Sequence, residues 1–160
     1  ELMSSEDWVP TLMAAAGVPD IKARLLQGAK IGDEVFKVHL DGYDQSEMLT
    51  GKGPSRRREF FFYGETDLNA VRVDNWKVHL AIKNQWIKAA EKVPGGLLID
   101  IKLDPFERTP EAAGHFDWMT EKTWVVPIFA PLLGEHIRSL KEYPPRQRGT
   151  GIGAATLGVE

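Results

Sequence analysis

The chain has no cysteine, which removes disulfides, thiol nucleophiles and cysteine-type zinc sites together and leaves the redox compartment undetermined. It also has no marked excess of either charge. Twenty Lys and Arg stand against 23 Asp and Glu, a net charge of -3, too weak a field to draw nucleic acid or an anionic membrane. Neither kind of partner is expected. No apolar run reaches the length that crosses a bilayer, and the opening Glu-Leu-Met-Ser-Ser-Glu-Asp lacks the basic region and apolar core of a secretion signal. Any such signal is expected upstream. Histidine pairs at metal-binding spacing are missing too: His39, His79, His115 and His136 are scattered. His79 and His136 read as surface or hydrogen-bonded residues. His39, just ahead of Leu40-Asp41-Gly42, reads at most as a residue supporting a site.

What is present describes a folded body. At 160 residues with 42% hydrophobic residues, five Trp and seven Phe, the chain can bury the core of an ordinary domain. It begins at Glu1 rather than methionine, close to a strong helix start, and a chain cut from a longer one is expected. Ser4, Ser5 and Asp7 are all good capping types, and a cap at Asp7 leaves Pro10 in the first turn, where its missing N–H costs nothing. The spacing predicts a helix over 8–16, ended by Gly17 and Pro19. Between 18 and 54 the glycines allow only a short helix at 21–26 and a strand at 35–40.

The clearest pattern follows. Residues 59–63 and 68–73 read as strands, and in 76–83 Trp76, Val78, Leu80 and Ile82 alternate with Lys77, His79, Ala81 and Lys83, the period of a half-buried antiparallel sheet. Asp74-Asn75 supplies a tight hairpin turn, and 97–103 a fourth strand after the Pro94-Gly95-Gly96 break. Beyond Pro110 the spacing turns helical. One stripe holds Phe116, Met119, Thr123 and Val126, another Ile128, Leu132, Leu133, Ile137 and Leu140, with Pro127 and Pro131 bracketing the joint between two helices. Residues 148–160 read as a flexible Gly-rich tail rather than a phosphate loop, since no Lys-Ser/Thr follows the glycines. The fold class expected is α+β: a four-stranded antiparallel sheet packed on C-terminal helices, preceded by an N-terminal helix and connector (1–57), with the sheet-and-helix domain over 58–147.

Candidate chemistry is thin. Asp41 and Asp44 with Asp33-Glu34 upstream fail the spacing of a calcium loop, and Gly42 points to a tight turn whose Asp side chains cap backbone groups. Arg56-Arg57-Arg58 is either a solvated edge or an anchor for carboxylates across an interdomain contact, because no aromatic platform accompanies it.

Four segments in order, Asp7-Trp8-Val9-Pro10-Thr11-Leu12 with Ala16-Gly17, Leu40-Asp41-Gly42-Tyr43-Asp44, Val73-Asp74-Asn75-Trp76-Lys77 and Leu103-Asp104-Pro105-Phe106-Glu107, together resemble the C-terminal part of bacterial arylsulfatases. So does the closing Leu140-Lys141-Glu142-Tyr143-Pro144-Pro145-Arg146-Gln147. These enzymes belong to the formylglycine-dependent, alkaline-phosphatase-like sulfatases. The resemblance implies a parent that hydrolyses sulfate esters with formylglycine and a divalent cation, calcium, both in a large domain upstream, in a periplasmic or secreted protein, with a cytoplasmic one as the alternative. The formylglycine motif, C-x-P-x-R or S-x-P-x-R, does not occur in this chain, so no catalytic or metal residue is expected in it, and the isolated chain is expected to be inactive. Asp74-Asn75, although the family holds its metal partly through an Asp-Asn pair, is expected to be the hairpin turn. His39, Asp41, Tyr43 and Asp44 are the expected rim of the substrate cleft. The missing N-terminal catalytic domain is the expected partner, and the surface it leaves bare is expected to cause self-association. The alternative is a non-catalytic binding or oligomerisation module.

Overall fold

The computed structural model describes residues 1–64, 67–85 and 88–144. The expected tail, 148–160, lies outside them. The chain divides into two compact units, Glu1–Arg58 with Arg138–Pro144, and Glu59–Ile137.

The first unit opens on a 3-10 turn, Ser5–Asp7, that leads into helix α1, Trp8–Ala15. Asp7 stands at the start of α1, as expected, but its side chain makes no capping bond there, and the capping side chain is Ser4, ahead of the 3-10 turn. Ser4 Oγ accepts from the Glu6 N–H, and the Ser4 N–H donates to Asp7 Oδ2 at 2.9 Å, a reciprocal capping box. Asp7 is thereby turned inward rather than left at the helix entrance. Gly17, at φ 87, closes the helix end in the left-handed region. Helix α2, Ile21–Gln27, buries Ile21 and Leu25, and a short hairpin follows, β1 (Ala29–Ile31) with β2 (Glu34–Phe36). The single strand expected at 35–40 is half of this hairpin. Gly32, at φ 65, makes its turn, and the apolar residues of Ala29–Ile31 are too few to announce a strand. A one-turn helix, α3 (Ser46–Leu49), completes the unit and packs on α1.

The second unit is built on the expected sheet, in the order β3 (Glu59–Gly64), β4 (Asp67–Val73), β5 (Trp76–Ile82) and β6 (Glu91–Asp100), all antiparallel. Val73 pairs with Trp76 across the Asp74-Asn75 turn, where Asp74 takes φ 51. Two irregularities shape the sheet. Phe62 pairs with Ala70 but Tyr63 with Leu68, so Asn69 is an extra residue that resets the alternation and brings Leu68 to the same face as Val71 and Val73. In β6 the expected break at Pro94-Gly95-Gly96 is a bulge inside a longer strand. His79 pairs with Leu97 and Ala81 with Lys92, and the strand ends at Asp100 rather than at Leu103.

One face of the sheet carries the core: Val71, Val73, Leu98, Val125 and Phe129, ringed by Phe61, Leu68, Trp76, Val78, Leu80, Met119, Leu132 and Leu133. The covering helices are α4 (His115–Glu121) and α5 (Val126–Glu142), joined by a 3-10 turn at Thr123–Val125. The two prolines do not separate them. Pro127 lies in the first turn of α5 and Pro131 inside it, so α5 runs through both. The tighter 3-10 turn also shifts the helical phase. Val125 and Phe129, absent from both expected stripes, are almost fully buried, while Phe116 is 70% and Val126 55% exposed. The opposite face is covered as well, with Ala70, Lys77, Ala81 and Ile99 buried, so the sheet is not half-solvated.

Truncating the core should show its weight. Phe129→Ala is expected to cost about 3–5 kcal/mol, and the exposed Phe116→Ala within about 0.5 kcal/mol, both measured by urea unfolding.

Candidate functional site

The four rim residues expected from the sequence lie in one loop of the first unit, between β2 and α3. His39 Nδ1 stands 3.1 Å from Asp41 Oδ1, and the imidazole lies beside the Tyr143 ring, 5.8 Å between centroids. The Tyr43 ring is flanked by two cations, Lys22 Nζ at 4.7 Å and the Arg57 guanidinium at 5.0 Å from its centroid, an arrangement in which the ring face attracts positive charge. Asp44 has another task. Its Oδ1 accepts from the backbone N–H and the hydroxyl of Ser46 at the start of α3, and the Ser46 bonds hold its carboxyl below the usual aspartate range. The structure therefore brings His39, Asp41 and Tyr43 to one loop and assigns the Asp44 carboxylate to local capping.

That loop is fixed from below by a buried ion pair that sequence reading did not identify. Asp7, fully buried, receives Arg57 Nε at 3.0 Å and a terminal guanidinium nitrogen at 2.7 Å. Its remaining lone pairs take the backbone N–H of Tyr43 at 2.8 Å and Gln45 Nε2 at 3.3 Å. The same guanidinium nitrogen reaches Glu6 Oε2 and the Asp41 carbonyl, both at 3.1 Å. Gln45, 1% exposed, passes the network on: its Oε1 accepts from the Ser55 hydroxyl and the Arg56 N–H, and its own N–H donates to Thr11 Oγ1. Lys22 clamps the outer side through the Gly42 carbonyl at 2.7 Å. The arginine run is thus an anchor for carboxylates within its own unit, and no composition signal links Asp7 to a partner 50 residues away.

The titration of these groups follows from their surroundings. Burial raises the Asp7 carboxyl, but the bonds from Arg57 and from the Ser4 and Tyr43 backbone outweigh it and hold the group below its ordinary value. For Glu6 burial prevails over the attraction of Arg57, helped by Asp41 and Asp7, and the carboxyl is raised. Gly42 is dictated by space. A Cβ there would lie 2.0 Å from the Glu6 carbonyl oxygen, inside any contact distance.

A second ionic group lies in the other unit. Glu107 receives Lys77 Nζ at 2.6 Å and His79 Nε2 at 2.5 Å across the face of the sheet opposite the core, with Lys77 Nζ also 4.4 Å from the Phe62 ring centroid. The carboxylate is presented from a left-handed backbone, φ 54. Burial raises its carboxyl, and the bonds from Lys77 and His79 bring it below the ordinary glutamate range. His136 is hydrogen-bonded too, its Nε2 2.6 Å from the Tyr63 hydroxyl and its ring stacked on Phe61. Among the described residues, no three His, Asp or Glu side chains stand together as a metal-holding set, and no helix is long and apolar enough to cross a membrane.

Comparison with known proteins points in one direction. No protein-family model matches the chain. Over 84 residues, 49% of this chain, it is 37% identical to human Arylsulfatase A, of which the match spans 14%. Its fold is similar to that of PsFucS1, a sulfatase from Pseudoalteromonas sp., with a TM-score of 0.56 and 23% identity, over 69% of this chain and 23% of the other. The chain is therefore related to the sulfatases in sequence, has the fold of part of one, and corresponds to a minor share of the length of either relative.

Three outcomes are expected. Arg57→Ala should cost about 3–5 kcal/mol by stranding a buried carboxylate, and Gly42→Ala should speed amide exchange throughout 41–45. The depressed carboxyls of Asp7 and Glu107 lose protons more readily when folded, so their stabilisation is complete above the ordinary carboxylate range and lost as the pH falls through the depressed values. Glu107→Gln should flatten the acid limb of a pH–stability profile; an unchanged limb would refute the assignment.

Proposed function

We propose that this chain is the C-terminal portion of an arylsulfatase-type sulfuric ester hydrolase, which it stabilises and whose substrate cleft it edges through His39, Asp41 and Tyr43. The observation that carries the reading is the sequence similarity to an arylsulfatase over half of the chain, supported by the loop of Asp41 to Gln45 being locked onto Asp7 and Arg57. Such a loop is held rigid enough to orient a ligand without acting on it. His39, turned by Asp41, can donate a hydrogen bond to an ester oxygen, and the edge of Tyr43 can meet an aromatic leaving group.

Bond breaking is not assigned to these residues. In the parent, formylglycine and a calcium ion supply the nucleophile and the charge stabilisation, and the chain lacks the motif from which formylglycine forms. Both belong in the reading to an upstream catalytic domain, the chain's partner, in a secreted or periplasmic enzyme. Asp44 remains at the rim as the residue that sets the start of α3. The partner's place is suggested by α1, where Trp8, Val9 and Leu12 are 48%, 51% and 60% exposed, an unusual concentration of apolar surface for one short helix.

The first test is to translate the coding region upstream of Glu1, where a C-x-P-x-R or S-x-P-x-R motif is expected. The chain alone is expected to leave 4-nitrophenyl sulfate intact and to self-associate in size-exclusion chromatography. In an intact enzyme, Tyr43→Ala is expected to raise KM about tenfold with kcat nearly unchanged, the pattern of lost uniform binding. A start codon immediately before Glu1, or hydrolysis by the chain alone, would overturn the reading.

A further inference from the structure

The second unit also brings together two reactive side chains that none of the sulfatase chemistry uses. Tyr63 lies near the end of β3, the edge strand of the sheet, and His136 lies on α5. The Tyr63 hydroxyl and His136 Nε2 stand 2.6 Å apart, at the short end of hydrogen-bond distances. Phe61, two residues before Tyr63 and so on the same face of the strand, stacks on the imidazole at 3.8 Å between centroids and 7° between planes. The ring is thereby fixed in the orientation that keeps Nε2 on the hydroxyl. Tyr63 is 43% exposed and its bond to His136 lies at the surface, so a small molecule can reach the oxygen.

A phenol is a poor nucleophile at neutral pH, because with an ordinary pKa of about 10 only about one in a thousand is ionised at pH 7. A base within reach removes that limit by taking the proton as the oxygen attacks. An activated nucleophile consists of the nucleophile, a base in hydrogen-bond contact and a third group that orients the base. Tyr63, His136 and Phe61 fill these places in turn. Phe61 and the Tyr63 ring offer an apolar approach, which suits an uncharged acyl donor better than a phosphoryl or sulfuryl one. We propose that Tyr63 is a covalent acylation site for activated esters of small carboxylic acids, with His136 as its base. The phenolic oxygen forms a bond to the acyl carbon while its proton passes to Nε2. The ester C–O bond then breaks, the leaving alcohol or phenol departs with the electron pair, and the imidazolium proton goes to it or to water. The product is O-acyl Tyr63.

The whole chain incubated with 4-nitrophenyl acetate and followed over time by peptide mass spectrometry tests the proposal. Tyr63 is expected to be acetylated at least about tenfold faster than Tyr43 and Tyr143, the other two tyrosines, measured in the same sample. Tyr143 makes a clear contrast, since desolvation and then the bond and charge of Glu142 raise its phenol. His136→Phe keeps a ring on Phe61 and should slow the acetylation of Tyr63 about tenfold or more, with the rates at Tyr43 and Tyr143 unchanged. Labelling of Tyr63 no faster than that of the other tyrosines, or an unaltered rate at Tyr63 in His136→Phe, would each overturn the proposal.

Discussion

The first unit depends on one buried ion pair. A carboxylate with no exposure is tolerable only when every lone pair is met, and Asp7 achieves this with donors drawn from the capping turn, the loop between β2 and α3, and the segment before β3. Each of these pieces is short and weak by itself. None has an apolar face large enough to hold it in place, apart from Ile21 and Leu25 on α2. Directional bonds to a single anion therefore do what a hydrophobic core does in the second unit. The loop that bears His39, Asp41 and Tyr43 inherits its geometry from that anion, because two of the bonds to the pair come from Tyr43 and the Asp41 carbonyl.

The sheet unit follows the opposite logic. Its stability resides in apolar residues from β4, β6, the 3-10 turn and α5, and its ionic group, Glu107 with Lys77 and His79, closes the far face of the sheet. Asn69 and the Pro94–Gly96 bulge shift the register of the pairs β3–β4 and β5–β6. Gly64 belongs to the same adjustment, since a Cβ there would meet the Asn69 amide at 2.1 Å.

Sequence reading succeeded where a periodic pattern and a local signal agreed. The alternation of Trp76 to Ile82, the Asp74-Asn75 turn and the four-stranded antiparallel sheet all followed from nearest-neighbour chemistry. It failed where the deciding contact was distant or the period changed. Val125 and Phe129 were missed because a 3-10 turn breaks the helical count just ahead of them. Pro131 looked like a boundary because its cost is local, whereas the apolar face of α5 that outweighs it is visible only in the packed molecule. Around Gly42 the expected tight turn is absent, since 37–45 runs without turn or bend, and the glycine serves instead the close approach of the Glu6 carbonyl. The support of this loop was not legible, because Asp7, Gln45 and Arg57 are polar residues in polar surroundings along the chain and reveal their burial only once they meet.

The first unit is also discontinuous: among the described residues it is made of Glu1–Arg58 and Arg138–Pro144, with Glu59–Ile137 of the second unit between them in sequence. Synthesis proceeds from the N-terminus at about 5–20 residues per second, so Asp7 waits roughly 3–10 s for the arginine 50 residues behind it. During that interval its carboxylate stays in water and α1 has no fixed seat. The sheet, whose partners are all neighbours along the chain, can be finished before the last residues of the first unit have been made. The bonds to Asp7 draw on residues 4–57 alone, so that network can close before any strand of the sheet exists, and only Arg138–Pro144 joins the first unit last.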